Sequence, residues 1–358
     1  MSSNNIIEKE IIDFLSKNSN CWFLKKEPEK SSSFNSLITY LKKTKKNEIK
    51  LKPEKVAYNK SINHFLLYYS YYPKFPFIIS KNNSLFFSSF TNRNFDKIEL
   101  SIPFFKKPSD SLEDLFSFLK NTDFSNFLKK KNIKKITLRD IDDDFINVLK
   151  EKKIFEINSL REINYSVYNV NETLALKGSE FSNLRWHLNS FKKEKHIVEE
   201  IPLNKSVKPV IHLIGKWRKD AIKKRDFSYV NMKSDKLGAR FFSNYNKKSY
   251  EKNNEIVDFS NTVSSVLKVE GKIASFNLGF PLGIFEKQTV FAHSIGICDL
   301  SIPHLAEFSQ YHFWKKIKKF GYKYINDGPT WKKDLMTYKD KFRPINKKRY
   351  YWATLKIN

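Results

Sequence analysis

The sequence predicts an α+β / α/β mixed-sheet fold arranged as two successive units. Apolar runs of period two alternate with apolar runs of period 3.6 along the chain. Each half passes through strands and then through helix–strand–helix, the order of mixed-sheet units. Hydrophobic residues make up 40% and aromatic residues 15% of the 358 positions, enough to bury a sizeable core.

Taken in order, residues 6–16 place Ile7, Ile11, Phe14 and Leu15 on one helical face, and 31–43 open on serines suited to capping a second helix. Residues 76–90 hold two apolar runs around Lys81-Asn82-Asn83-Ser84, a hairpin. Residues 98–107 follow as a strand with Pro103 at its edge. Residues 109–122 begin with Ser109 and Ser111 followed by acids, a capping box before a helical stripe. A short strand spans 134–142. The helix over 142–153 starts with acids and ends with lysines, as its dipole favours.

The second half begins near residue 155. Residues 178–194 form a helix with Phe181, Leu184, Leu188 and Phe191 inward, and residues 207–225 form another. Residues 263–282 form two strands joined at Glu270-Gly271, and 289–299 a third. The helix over 303–321 stops at Gly321. The strand Tyr322–Asn326 turns on Asn326-Asp327-Gly328-Pro329. A helix over 330–342 and a last strand over 349–356 complete the chain.

Composition narrows the function. Nine glycines argue against glycine-rich nucleotide loops. A net charge of +28, from 66 Lys+Arg against 38 Asp+Glu, favours a polyanionic partner. The lysines are mostly scattered, however, and accompany abundant Asn, Ile and Phe, as an AT-rich genome would also produce. Two cysteines, Cys21 and Cys298, build no disulfide framework and fit free thiols in a reducing compartment. The N-terminus is neither basic nor continuously apolar, unlike a signal peptide. No apolar run approaches ~20 residues, the length of a membrane span. The expected location is cytoplasmic, with room for peripheral contact with an anionic membrane surface.

Several chemistries lack their signatures. The seven histidines show no metal-ligand spacing, so no metal is expected. There is no Gly-x-Ser-x-Gly elbow, no P-loop and no Gly-x-Gly-x-x-Gly. Three local features remain. On the 178–194 helix, Arg185 and Asn189 are four apart and share a polar edge, which lines a cleft or simply faces water. On the 263–299 strands, Phe276, Asn277, His293, Ser294 and Asp299 stand where an extended substrate could pair with main-chain groups. In the Tyr322–Trp352 stretch, Asn326 and Asp327 end a strand, where open sheets place ligands, though Asn-Asp-Gly-Pro is also a good turn. Lys332 and Lys339 follow, seven residues apart on one helical face. Arg343, Lys347, Lys348 and Arg349 then cluster beside Tyr350, Tyr351 and Trp352, a composition suited to phosphate contacts with stacking.

At these residues the chain resembles the C-terminal domain of phosphatidylglycerol lysyltransferases and their soluble relatives. The likeness rests on Gly178 followed by Arg-Trp-His-Leu-Asn-Ser-Phe at 185–191, on the 263–276 strands, on Tyr-Ile-Asn-Asp at 324–327, and on 335–344 with Arg-Tyr-Tyr soon after. It covers about 160 to 355. Trp186, Ser190 and Tyr338 depart from the family's usual Asn, Arg and Phe.

The resemblance implies tandem GNAT-like (acyl-CoA N-acyltransferase-like) domains: a degenerate one over 1–155 and a catalytic one over 156–358. It also implies transfer of an aminoacyl group from charged tRNA to an amine or hydroxyl, such as a lipid headgroup, without a cofactor. On this reading Asn326 and Asp327 orient acceptor or ammonium, and Lys339, Arg343 and Arg349 meet phosphates with Tyr350 beside them. Arg185, Asn189, Phe276, Asn277 and His293 line the substrate cleft. An acyl-CoA-dependent N-acyltransferase is the alternative, weakened by a loop at 298–308 without glycine. A non-catalytic polyanion binder on the same fold is the third reading.

Overall fold

The structure is a computed structural model. It describes residues 21–23, 75–81, 84–91, 97–101, 108–119, 122–133, 135–152, 156–225, 262–282, 290–330 and 333–356. The helices expected over 6–16 and 31–43, and Lys332, lie outside them. The chain divides into two compact units. The first takes the described residues up to Asn164 together with those from Arg349 onward, and the second runs from Tyr165 to Lys348.

In the first unit, β1 (Cys21–Phe23), β2 (Phe75–Lys81), β3 (Ser84–Thr91) and β4 (Lys97–Ser101) pair antiparallel in succession. Helices α1 (Pro108–Leu119) and α2 (Thr122–Lys130) then lead to β5 (Lys135–Ile141), which lies parallel to β4. Helix α3 (Asp143–Lys152) follows. Period-two apolar residues of β5, Ile136 and Leu138, meet the helical stripes Leu112–Leu115 and Phe145–Leu149 in one core. The end of β12 (Asn346–Lys356) adds to the other edge of β5, antiparallel, and brings Ala353 and Leu355 into that core. Residues 349–356, which the sequence places with the second domain, therefore complete the sheet of the first unit. The reason is visible at the contact. Thr354 bonds Thr137 at 3.1 Å, Trp352 Nε1 donates to Asp140 at 2.9 Å, and Arg139 lies 4.1 Å over the Trp352 ring.

Strand β6 (Glu156–Asn169) leads on to α4 (Val170–Ala175), whose first N–H groups bond the Asn169 side chain. Within the second unit, α5 (Ser182–Lys193), β7 (Val198–Ile201) and α6 (Val207–Arg225) come next. Strands β8 (Val263–Val269), β9 (Lys272–Pro281) and β10 (Val290–Cys298) form an antiparallel series with β7 at its edge. Helix α7 (Leu305–Lys319) connects β10 to β11 (Tyr324–Thr330), which lies parallel to β10, and α8 (Lys333–Asp340) follows. Leu184 and Leu188 of α5, Phe313 and Trp314 of α7, Phe291, Ile325 and Phe342 share its core.

Both units thus repeat one order: four antiparallel strands, a helical crossover, a strand parallel to the fourth, and a further helix. Strands β6 and β7 and helix α2 were not apparent in the sequence. The first half of β6 is exposed and does not alternate, and β7 is only four residues long. The turn expected at Asn326–Pro329 is a kink inside β11. Gly328 takes φ 72°, its N–H bonds the Asn326 side chain at 3.0 Å, and the strand continues to Thr330.

Candidate functional site

Strands β10 and β11 pair over three residues only, Val290–Ala292 with Tyr324–Asn326. The pairing of β10 with β9 also slips between His293 and Ile295. Such a bulge bends a strand. The two parallel strands therefore part at His293 and Asp327, where open sheets place ligands. The glycines serve this geometry. A Cβ on Gly279 would sit 2.2 Å from the Ala292 carbonyl oxygen, so only glycine lets β9 approach at the bulge. A Cβ on Gly296 would lie 3.0 Å from His293 Nε2.

A buried polar chain closes the base of this fork. Ser275 and Ser309 hydroxyls share a hydrogen bond of 2.7 Å, and Asn277 Nδ2 donates to Ser309 at 2.7 Å. The Asn277 amide is thereby oriented with Oδ1 toward His293 Nε2, 3.0 Å away, so that nitrogen carries hydrogen. His293 Nδ1 lies 3.1 Å from Asp327 Oδ1 and 3.3 Å from Trp314 Nε1, and can serve one of them at a time. Lys339 Nζ is 3.8 Å from Asp327 Oδ2 and donates to the carbonyls of Asp327 and Gly328. Burial pushes the Asp327 carboxyl up, but the Lys339 ammonium and the His293 and Gln310 side chains outweigh it and hold the pKa below its ordinary value. Burial pulls the Lys339 ammonium down, against the pull of Asp327.

A second polar group lies at the start of α7. Lys341 Nζ donates to Glu307 at 2.7 Å and to His187 Nε2 at 3.1 Å, and His187 Nδ1 faces His304 Nδ1 at 2.9 Å. Burial, Lys341 and His304 lower the His187 pKa against the pull of Glu307. Between the two groups, Tyr338 donates to Gln310 Oε1 at 2.9 Å. Burial raises the Tyr338 phenol well above its ordinary pKa, and Glu307 and Asp327 add to this. The connection from β10 to α7 is closed on itself: Asp299 Oδ1 accepts from the Ser301 N–H at 3.0 Å and hydroxyl at 2.7 Å, and Ile302 N–H bonds the Asp299 carbonyl at 3.3 Å. Pro303 has no N–H to offer.

Of the residues singled out in the sequence, Asn277, His293, Asn326, Asp327 and Lys339 converge on the fork. Phe276 points the other way along β9 and is fully buried as packing. Lys339, expected at the rim, is 4% exposed, because its ammonium caps the carbonyls of the β11 kink. Arg185 turns back to the carbonyls of Leu176 and Gly178, and Asn189 is exposed. Arg343 is exposed, with Nε donating to the Glu180 carbonyl at 2.7 Å. Arg349 is exposed in the first unit, 3.9 Å from both Asp143 and Glu162, and Tyr350 there is buried. Glu307, Gln310 and Trp314 were missed. Their spacing on an otherwise apolar helical face was the available signal.

No family model matches the chain, and no curated protein matches it. Solved structures do. A conserved protein of unknown function from Bacteroides thetaiotaomicron is 16% identical, over 89% of this chain and 97% of its own, with a TM-score of 0.62. L-PGS from Bacillus licheniformis is 11% identical, over 88% of this chain and 91% of its own, at 0.51. A tandem GNAT protein from the clavulanic acid biosynthesis pathway, solved without AcCoA, is 5% identical, over 94% and 97%, at 0.50. The fold is GNAT-like, a mixed α+β arrangement. The resemblance seen in the motifs holds at the level of fold. Among the described residues no helix is long and apolar enough to cross a membrane, and no cluster of His, Cys, Asp and Glu could hold a metal ion.

Proposed function

We propose that the second unit transfers an aminoacyl group from charged tRNA to an amine or hydroxyl, with the ester end of the donor entering the fork between β10 and β11. The observation that carries this over an acyl-CoA donor is the 299–304 connection. A CoA pyrophosphate is held on a glycine-rich loop that leads into a helix N-terminus, whereas this connection has no glycine, Ser301 and Ile302 spend their N–H groups on Asp299 and Pro303 has none, which leaves only the first turn of α7 to offer free N–H groups. The charge of +28 suits a polyanionic donor.

An aminoacyl ester is already activated. The acceptor nitrogen or oxygen bonds to the ester carbonyl carbon, the bond from that carbon to the ribose oxygen breaks, and the acceptor's proton ends on the released hydroxyl. The protein has to align the reactants and place donors toward the oxyanion. Asn326 and Asp327 form the floor of the fork. Because Asp327 is already engaged by His293 and Lys339, it acts as a positioning residue that fixes where the strands part. Arg343, exposed on the second unit, contacts a donor phosphate there, and Arg349, exposed on the first unit, is a separate phosphate contact. A lipid headgroup at an anionic membrane surface is one acceptor that fits this chemistry.

The test is a comparison of donors. Aminoacyl-tRNA is expected to bind with a steep salt dependence and acetyl-CoA weakly by calorimetry. Arg343→Ala and Arg349→Ala each flatten the salt slope by about one unit for every phosphate the arginine no longer neutralises. Tight acetyl-CoA binding without tRNA binding at low salt reverses the assignment.

A further inference from the structure

A cleft of about 860 Å³ opens between the start of α6 and the β7–β8–β9 strands of the second unit. Its size is within the range of small-molecule sites, about 300–1,000 Å³. Three carboxylates line it, and each is already matched. Glu199 pairs with Lys268 at 3.3 Å, and Asp299 with Lys216 at 2.6 Å. Glu200 pairs with Lys316 at 2.7 Å and His312 at 3.0 Å, which hold its pKa at about 2. Two further lining cations, Lys205 and Lys272, have no ion pair among the described residues. The cleft is therefore left with an excess of positive charge.

The remaining walls set the chemistry of the occupant. Ile201, Pro202, Pro209, Leu213 and Ile273 provide aliphatic surface. No Phe, Tyr or Trp is among the described lining residues, so a nucleobase finds no ring to stack on. Lysine offers a compact, rotatable charge, suited to a single carboxylate or phosphate. The matched carboxylates also serve the ligand, because they hold Lys216 and Lys268 in place without drawing on Lys205 and Lys272.

We infer that this cleft is a binding site for a small aliphatic anion, a carboxylate or a phosphate monoester, held by Lys205 and Lys272 against the aliphatic wall. The site goes beyond the transfer reading and binds without tRNA, so each can fail separately. Glycerol 3-phosphate and glutarate are titrated separately into the full chain by calorimetry, which distinguishes the two head groups. At least one is expected to saturate, and Lys205→Ala/Lys272→Ala to weaken it by about 10-fold or more, the scale of removing charged hydrogen bonds. Lys192→Ala/Lys193→Ala on α5 removes the same charge from residues that do not line the cleft and is expected to leave binding within about twofold, since exposed charges are screened by salt. Saturation by neither probe below about 10 mM, a weak affinity on the millimolar scale, overturns the inference. So does an equal loss in both double variants, which would assign binding to net charge. Thermal melts are expected to match wild type, because all four lysines are exposed.

Discussion

Replacing Lys339 with methionine isolates the charge that holds the fork. Methionine keeps most of the side-chain volume and removes the ammonium. The Asp327 carboxylate, 10% exposed, then loses its partner at 3.8 Å, and the carbonyls of Asp327 and Gly328 lose a donor. Removing one member of a buried pair costs about 3–5 kcal/mol, mostly because the other charge is left uncompensated. The pH dependence tests that cause. In the wild type the Asp327 pKa is depressed, so its stabilising share is full above the ordinary value of 3.8 and is lost as pH falls through the folded value. In Lys339→Met, burial is opposed by fewer partners and the carboxyl pKa rises. The folded variant then takes up a proton more readily, and its deficit shrinks between pH 7 and pH 5. Urea unfolding at both pH values, followed by tryptophan fluorescence, measures this. Asp327→Asn/Lys339→Met is expected to be more stable than Lys339→Met by about 0.5–3 kcal/mol, the usual coupling of contacting residues. A deficit below about 1 kcal/mol, or one unchanged by pH, refutes the assignment of Lys339 as the counter-charge.

Two further outcomes follow from single positions. His187 has a pKa lowered from 6.5, so it contributes stability that is complete above that value and declines as pH falls below it; His187→Gln should flatten melting temperature against pH in that range. Gly279→Ala places a methyl 2.2 Å from the Ala292 oxygen and 2.3 Å from the Phe291 ring, and overpacking of this kind costs about 1–3 kcal/mol, read as a lower urea midpoint at unchanged slope.

The fold was legible in the sequence where a pattern repeats over enough residues to be local. The stripe Leu184–Leu188–Phe191, the β8–β9 turn at Glu270-Gly271 and the β10–α7–β11 order are all set by alternation, periodicity and punctuation within a few residues. Of the fork, the sequence placed Asn326 and Asp327 at the end of a strand, whereas they lie inside β11, and it marked Asn277 and His293 as candidates. It could not assign their partners, because a hydrogen bond such as Asn277 to Ser309 joins positions 32 apart and leaves no periodic trace. Lys339 shows the same limit. By composition it belongs with the surface lysines, and only the kink at Gly328, with two carbonyls turned inward, makes a buried ammonium the better solution. Arg349 and Tyr350 lie beside Arg343 in the chain, but the last strand completes the sheet of the first unit. Strand pairing is long-range, so adjacency in sequence put a cationic cluster where the tertiary structure divides it. Local physics thus determined which segments are helices and strands. The meeting of Asp327, His293 and Lys339, and the parting of β10 from β11 above them, were decided by non-local packing and by desolvation, which exist only once the sheet is formed.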